Sequence, residues 1–200
     1  MPTIGMKPKS ALMGGSFDPP HIGHIHIMHE VASLTPIRRL IIIPANISNF
    51  KQGTHPASFV DRVEMLSLAV KDYKALYPED ELDVMVSRWE GEQGGVSYTA
   101  DTIRHFFSEE EDEGRVNFII GDDILPSLDR WHDYDYLKDN VRFWCFSRGR
   151  DALPPASASV IMVGSDVVDA SSTEIRHGNL DMLSESVREY VNEHGLYRAE

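Results

Sequence analysis

The chain has 200 residues, is 42% hydrophobic and 26% charged, and carries a formal net charge of −13. That length suits a single domain over 1–200 with a sizeable core. The acidic balance argues against a general nucleic-acid binder and against docking on an anionic membrane. An anionic substrate would then need a locally basic pocket, so each Lys or Arg beside a motif gains weight. Cys145, the one cysteine, rules out an intramolecular disulfide. With no run of about eighteen apolar residues and no hydrophobic signal core, the cytoplasm is the expected compartment.

The first predicted strand is Ser10 to Met13. It runs into Gly14-Gly15-Ser16-Phe17-Asp18-Pro19-Pro20-His21-Ile22-Gly23-His24, and a helix with apolar period follows over Ile22 to Leu34. Strand, glycine turn and helix aim free backbone N–H groups at an anion. Pro19 and Pro20 forbid helix before His21, and Asp18 is placed to cap or orient its entry. His21 and His24 leave the same side of the first turn, while His26 and His29 fall away from it and read as surface histidines. Gly23 leaves bare backbone that a ligand could approach closely. Imidazoles beside a helix N-terminus suit phosphate chemistry. A metal pair or an ordinary turn are the plainer alternatives.

Leu40 to Pro44 is a continuous apolar run, as in a strand covered on both faces. Ala45 to Pro56 is polar and reads as a mobile loop at its carboxyl end. Ser58 and Asp61 start a second amphipathic helix. Leu82 to Val86 is a third strand and Gly91 to Gly95 a turn-rich loop. Ser97 is placed to cap a helix holding Ile103, Phe106 and Phe107, which would leave N–H groups of Tyr98, Thr99 and Ala100 free. Glu109 to Glu113 reads as a solvated linker. Strands follow at Val116 to Ile120, Val141 to Phe146 and Val160 to Val163, and two short helices close the chain. This alternation implies a doubly wound, Rossmann-like α/β domain with a mainly parallel sheet of five or six strands. Its active site belongs at the strand carboxyl ends.

A second constellation is Ser171-Ser172-Thr173-Glu174-Ile175-Arg176. Ser171 and Glu174 have capping-box spacing, N–H groups at Ser172 and Thr173 could hold a phosphate, and Arg176 can reach the same anion. An ordinary capped surface helix is the alternative.

Together these strings resemble the GGxFDPxHxGH and ISSTxIR signatures of nucleotidyltransferases of the adenylyltransferase superfamily, with Ala170 in place of the leading Ile. Further segments resemble the bacterial nicotinate-nucleotide adenylyltransferases. Ser97 to Thr102 is similar to SYTxDT. Phe118 to Asp122 with Leu128 and Trp131 is similar to FIIGxD followed by L and W. Phe146 to Gly149 matches a strand-end arginine, and Leu183 to Tyr197 is similar to the closing segment. The PPHK or PPHR loop is replaced by Ser48-Asn49-Phe50-Lys51, which keeps only the basic residue.

The resemblance implies adenylyl transfer from ATP to nicotinate mononucleotide, giving deamido-NAD and pyrophosphate, with Mg²⁺ arriving on ATP. His21, His24 and Arg176 would be catalytic. ATP would be held by Gly14, Gly15, Ser16, Phe17, Asp18, His21, Gly23, His24, Gly121, Asp122, Arg148, Ser171, Ser172, Thr173 and Arg176. Lys51, Tyr98, Thr99 and Trp131 would bind the acceptor, Trp131 by stacking on its pyridine. Alternatives are a related transferase acting on nicotinamide mononucleotide or pantetheine phosphate, and a non-catalytic nucleotide-binding regulator. Oligomeric state is left open.

Overall fold

The structure, a computed structural model, describes residues 9–48, 57–147, 153–166, 168 and 170–197. Its frame is a mainly parallel sheet, in which strands of one direction are linked by crossovers. Strand β1 (Ser10–Gly15) leads into helix α1 (Ile22–Leu34), then β2 (Arg39–Pro44) and the two-residue β3 (Ile47–Ser48). Helix α2 (Phe59–Leu76) precedes β4 (Asp83–Val86), the short helix α3 (Trp89–Gln93), β5 (Val96–Ser97) and α4 (Thr99–Glu110). Strands β6 (Glu111–Asp112) and β7 (Arg115–Gly121) come next. A 3₁₀ turn (Leu125–Arg130), α5 (Tyr134–Asn140), β8 (Val141–Ser147) and β9 (Ser159–Gly164) follow, and α6 (Ser172–Arg176) and α7 (Glu185–Glu193) close the chain.

The main sheet runs β4-β2-β1-β7-β8-β9, all parallel, with β6 pairing antiparallel against β7. Strand order reverses direction between β1 and β7, and this switch point opens a crevice beyond their carboxyl ends. The sheet is covered on both faces, as its apolar strands require. One layer packs Met13, Leu40 and Ile42 with Met28, Leu66 and Val187. The other packs Leu12, Phe118 and Phe143 with Ile103, Leu128 and Leu137. Alternate side chains of one strand thus enter opposite cores.

Several local expectations change. The Gly91–Gly95 loop begins instead inside α3, where Gly91 is required because a Cβ would lie 2.2 Å from the Phe59 ring. Part of the segment after β2 is ordered: Ile47 and Ser48 pair in parallel with Val96 and Ser97. Residues 49–56, with Lys51, lie outside the described residues, as does Arg148. The acidic run is no solvated linker. Glu110 is buried and faces Arg39 at 3.4 Å, and Asp112 takes Lys9 at 3.0 Å and Arg142 at 3.2 Å. Opposite charge from three distant segments draws the run onto the sheet edge. His26 and His29 are not free surface residues either, since they pair with Glu30 at 3.1 Å and Asp80 at 2.9 Å. No helix among the described residues is long and apolar enough to cross a membrane.

Candidate active site

At the switch point lies a cavity of about 480 Å³. Its floor is β1 and β7, through Met13, Gly14, Gly15, Phe118 and Gly121, and its walls include Phe17, His24, Glu90, Ser97, Thr99 and Trp131. Small side chains are needed at the floor. A Cβ on Gly14 would press to 3.0 Å from the Phe118 ring, and one on Gly15 equally close to Phe17. Phe17 itself has φ +47°, a left-handed conformation costing about 1 kcal/mol for a non-glycine residue, and its ring packs edge-on against His24 at 5.0 Å.

His21 is the N-cap of α1, so Asp18 is not. The His21 and His24 rings lie 3.9 Å apart, which realises the shared face read from their spacing. The His21 backbone N–H donates to His24 Nδ1 at 3.1 Å. An accepting Nδ1 leaves the ring proton on Nε2, so neutral His24 carries a donor on its other edge, and the ring lines the cavity. His21 is buried against the helix start, and Gly23 packs against its ring and against Ala170. The backbone expected to be bare at Gly23 is therefore covered by protein.

Asp18 acts as a tie. Its Oδ1 accepts the Ala57 N–H at 3.0 Å and the Tyr197 hydroxyl at 2.7 Å. Burial and this bond push the Tyr197 hydroxyl well above the usual phenol range, so it remains a donor. Helix α6 docks on the same turn, where Ser172 Oγ donates to the Pro19 carbonyl at 3.0 Å and Arg176 Nη1 to the Asp18 carbonyl at 2.6 Å. Arg176 Nη2 also donates to Thr173 Oγ1 at 3.1 Å. The two strings, about 150 residues apart in sequence, thus meet at the Asp18–Pro19 turn, next to Phe17, which lines the cavity. Ser171 holds the N-cap position without a side-chain capping bond, and its N–H faces Met182 Sδ at 3.3 Å.

At the far end the helix start differs from expectation. Ser97 does not cap α4; it sits in β5, and its Oγ accepts the Asn46 N–H at 2.9 Å. The Tyr98 carbonyl accepts from Asp101 and Thr102, which leaves the first-turn N–H groups of Thr99 and Ala100 without intrahelical acceptors. Thr99 lines the cavity, whereas the Tyr98 ring packs on His132 at 4.3 Å, outside it. Trp131 lines the cavity and packs edge-on against Phe118 and Phe143; its indole N–H is buried without a hydrogen-bond partner among the described residues. Of the two aspartates after β7, Asp123 lines the cavity. Asp122 is 1% exposed and accepts the Ser147 hydroxyl at 3.3 Å.

Two buried charged residues escaped the sequence reading. Arg62 donates to the carbonyls of Ser16, Ala45, Asn46 and Ala57 at 2.7–3.2 Å, joining the glycine turn to the β2 end. Its signal was present: Arg62 falls on the face of α2 that buries Met65, Leu66 and Ala69, where a charge needs an internal partner. Glu90 accepts from Thr102 Oγ1 at 2.5 Å; burial foremost raises its pKa, against the lowering effect of bonds from Ser97 and Thr102. Nothing around Glu90 in the sequence marked it. Cys145 is no nucleophile, since burial pushes its thiol up to about 12.

A crevice at a parallel-sheet switch point, lined by a glycine turn and by His24 of the helix that follows it, is the geometry of a nucleotide-binding site. Residues 12–178 match the sequence model of the Cytidylyltransferase-like family. Among curated proteins, the Listeria innocua "Probable nicotinate-nucleotide adenylyltransferase" is 33% identical, covering 96% of this chain and 98% of the relative. The Salmonella typhimurium nicotinate-nucleotide adenylyltransferase is 31% identical, covering 96% of this chain and all of the relative. A Plasmodium falciparum nicotinic acid mononucleotide adenylyltransferase, solved in complex with NaAD, superposes with a TM-score of 0.76. It covers 96% of this chain and 98% of its own at 16% identity, a likeness of fold. The chain belongs to the nicotinate-nucleotide adenylyltransferase family, within the Cytidylyltransferase-like group.

Proposed function

We propose that this chain transfers the adenylyl group of ATP to nicotinate mononucleotide, in the cytoplasm, as a step of NAD synthesis. The observation that carries the reading is the docking of α6 on the Asp18–Pro19 turn, which brings Arg176 and the Ser172 region beside the His21–His24 face. A phosphate oxygen of the acceptor attacks the α-phosphorus of ATP. The bond from that phosphorus to the bridging oxygen breaks, and deamido-NAD and pyrophosphate leave. An acceptor phosphate is largely ionised near neutral pH, so no general base is required. Catalysis is then alignment with charge stabilisation.

In this reading His24 presents Nε2–H to the triphosphate, and His21 orients it through the backbone bond to Nδ1. Arg176, Ser172, Thr173 and the α6 start hold the departing pyrophosphate. Gly14, Gly15 and Ser16 let the nucleotide lie against β1, while Asp123, in place of the expected Asp122, faces the ribose from the β7 end. Arg148 and Lys51 would serve adenine and acceptor phosphate. Among the described residues no group of three or more His, Cys, Asp or Glu could hold a metal ion. Asp123, which lines the cavity after β7, would offer a carboxylate to an Mg²⁺ carried mostly by phosphate oxygens and water. When bound, it offsets the triphosphate charge.

The acceptor's pyridine would stack on Trp131, and its carboxylate would meet the N–H groups of Thr99 and Ala100. Charged hydrogen bonds contribute about 1.5–3 kcal/mol against about 1 for neutral ones. Nicotinate mononucleotide should therefore exceed the amide in kcat/KM by at least about tenfold. Pyrophosphate release from ATP across a panel of acceptors tests this. Parity between acid and amide would sink the role of the α4 N-terminus, and activity only with pantetheine phosphate would sink the reading.

A further inference from the structure

Among the described residues lining the cavity, the carboxylates are Asp123 and Glu90. Asp123 stands at the β7 end. Glu90, on α3, stands against the start of α4, bonded to Thr102 and Ser97, and is 8% exposed. The same Glu90, Ser97 and Thr102 also line a second hollow, of about 500 Å³, between α3 and α4, so they form the partition between two cavities. A wall needs only packing, yet this one holds an acid. Its hydroxyl partners, Thr102 and Ser97, offer it donors. Arg62 commits its N–H groups to backbone carbonyls and acts on Glu90 only through space.

We propose that Glu90 sets the margin by which an acidic pyridine is chosen over its amide. The inference rests on the function proposed above, with the pyridine at the Trp131–Thr99 end. A charged Glu90 repels a carboxylate on that ring and offers an acceptor to the NH₂ of a carboxamide. It thereby opposes the α4 N-terminus, which favours the anion, and narrows the preference that the helix alone would give. Because burial raises the Glu90 pKa, its charged fraction grows as pH rises, and the acid-to-amide ratio of kcat/KM should fall with it. The other charged or titratable groups lining these two cavities or acting on Glu90 are Arg62 on α2, His24 on α1, Asp123 after β7, Tyr98 before α4, and Asp101, Arg104 and His105 on α4. They meet both acceptors alike except through the one substituent, and the acceptor phosphate is common to both, so the ratio isolates that end of the cavity.

The test is kcat/KM for nicotinate and nicotinamide mononucleotides with the native protein and Glu90→Gln, which keeps size and an acceptor for Thr102. At about pH 8.5 the variant should raise the acid-to-amide ratio by roughly tenfold, the order expected for removing a nearby like charge. An equal or lower ratio in the variant overturns the proposal. Should Glu90→Gln fail to fold, Thr102→Val decides: loss of that hydroxyl donor disfavours the charged form, so a raised ratio supports the proposal and an unchanged one overturns it. Inactivity of the native protein with both acceptors would instead strike the proposed function, and so the two failures are distinguishable.

Discussion

At the scale of single residues, His21 at the cap of α1 and the three histidines within it have different work despite similar spacing. His24 lines the cavity with its Nδ1 fixed by the His21 N–H, whereas His26 turns away to Glu30. Glu30 in turn accepts from Ser165 Oγ at 2.5 Å and the Asp166 N–H at 2.8 Å, tying α1 to the end of β9. His24→Ala should lower turnover by about a hundredfold or more, the scale of one positioned transition-state donor. His26→Ala should leave turnover nearly unchanged but lower the melting temperature, because Glu30 loses a partner. Pyrophosphate release and thermal unfolding read the two effects, and equal losses of turnover would refute the division of labour.

Among the elements, the helix starts carry both stability and chemistry. Helix α2 opens as its sequence predicts, with Ser58 Oγ accepting the Asp61 N–H at 3.1 Å and the hydroxyl donating to Asp61 Oδ2 at 2.6 Å. The Ser58 bond foremost, with help from Tyr190 and against burial, holds the Asp61 carboxyl below its ordinary range. A carboxylate lowered in the fold stabilises it above its unfolded pKa, and that contribution is lost as pH falls through the native one. Ser58→Ala should cost about 1 kcal/mol at neutral pH, the usual loss of a cap. The difference should narrow in acid, as the pH falls through the lowered Asp61 pKa and the carboxyl becomes protonated in both proteins. Urea denaturation at the two pH values measures it; a gap that widens in acid would contradict the assignment. Helix α4 shows the other use of an end, because its capping was displaced. Ser97 turns its hydroxyl to the Asn46 N–H and to Glu90, and the N–H groups of Thr99 and Ala100 are left without intrahelical acceptors.

For the molecule as a whole, the site is an assembly of chain segments braced from below. Arg62 joins Ser16, Asn46 and the start of α2, and Asp18 joins that start to Tyr197, near the far end of the chain. A buried guanidinium facing four carbonyls cannot be replaced by a compact ammonium with the same reach. Arg62→Lys should therefore destabilise by about 3 kcal/mol or more, leaving carbonyls unpaired or a charge misplaced. Chemical denaturation would register this, and a loss below about 1 kcal/mol would show that water substitutes for the fork.

The amino-acid sequence by itself determined the alternation of elements, the parallel sheet and the two strings proposed to hold phosphate. Each of those is local: apolar runs, helical period, prolines before His21 and the glycine turn act over a few residues. It also placed Trp131 and Thr99 by resemblance, and the structure lines one cavity with both. What only tertiary structure decided concerns partners distant in sequence. That Ser172 and Arg176 meet Pro19 and Asp18, that Asp123 rather than Asp122 faces the cavity, and that the acidic run folds onto the sheet edge all depend on which strands become neighbours. Arg62 and Glu90 show the physical reason most plainly. A charge is tolerated inside only where donors and acceptors from several segments converge, and no local pattern records that convergence.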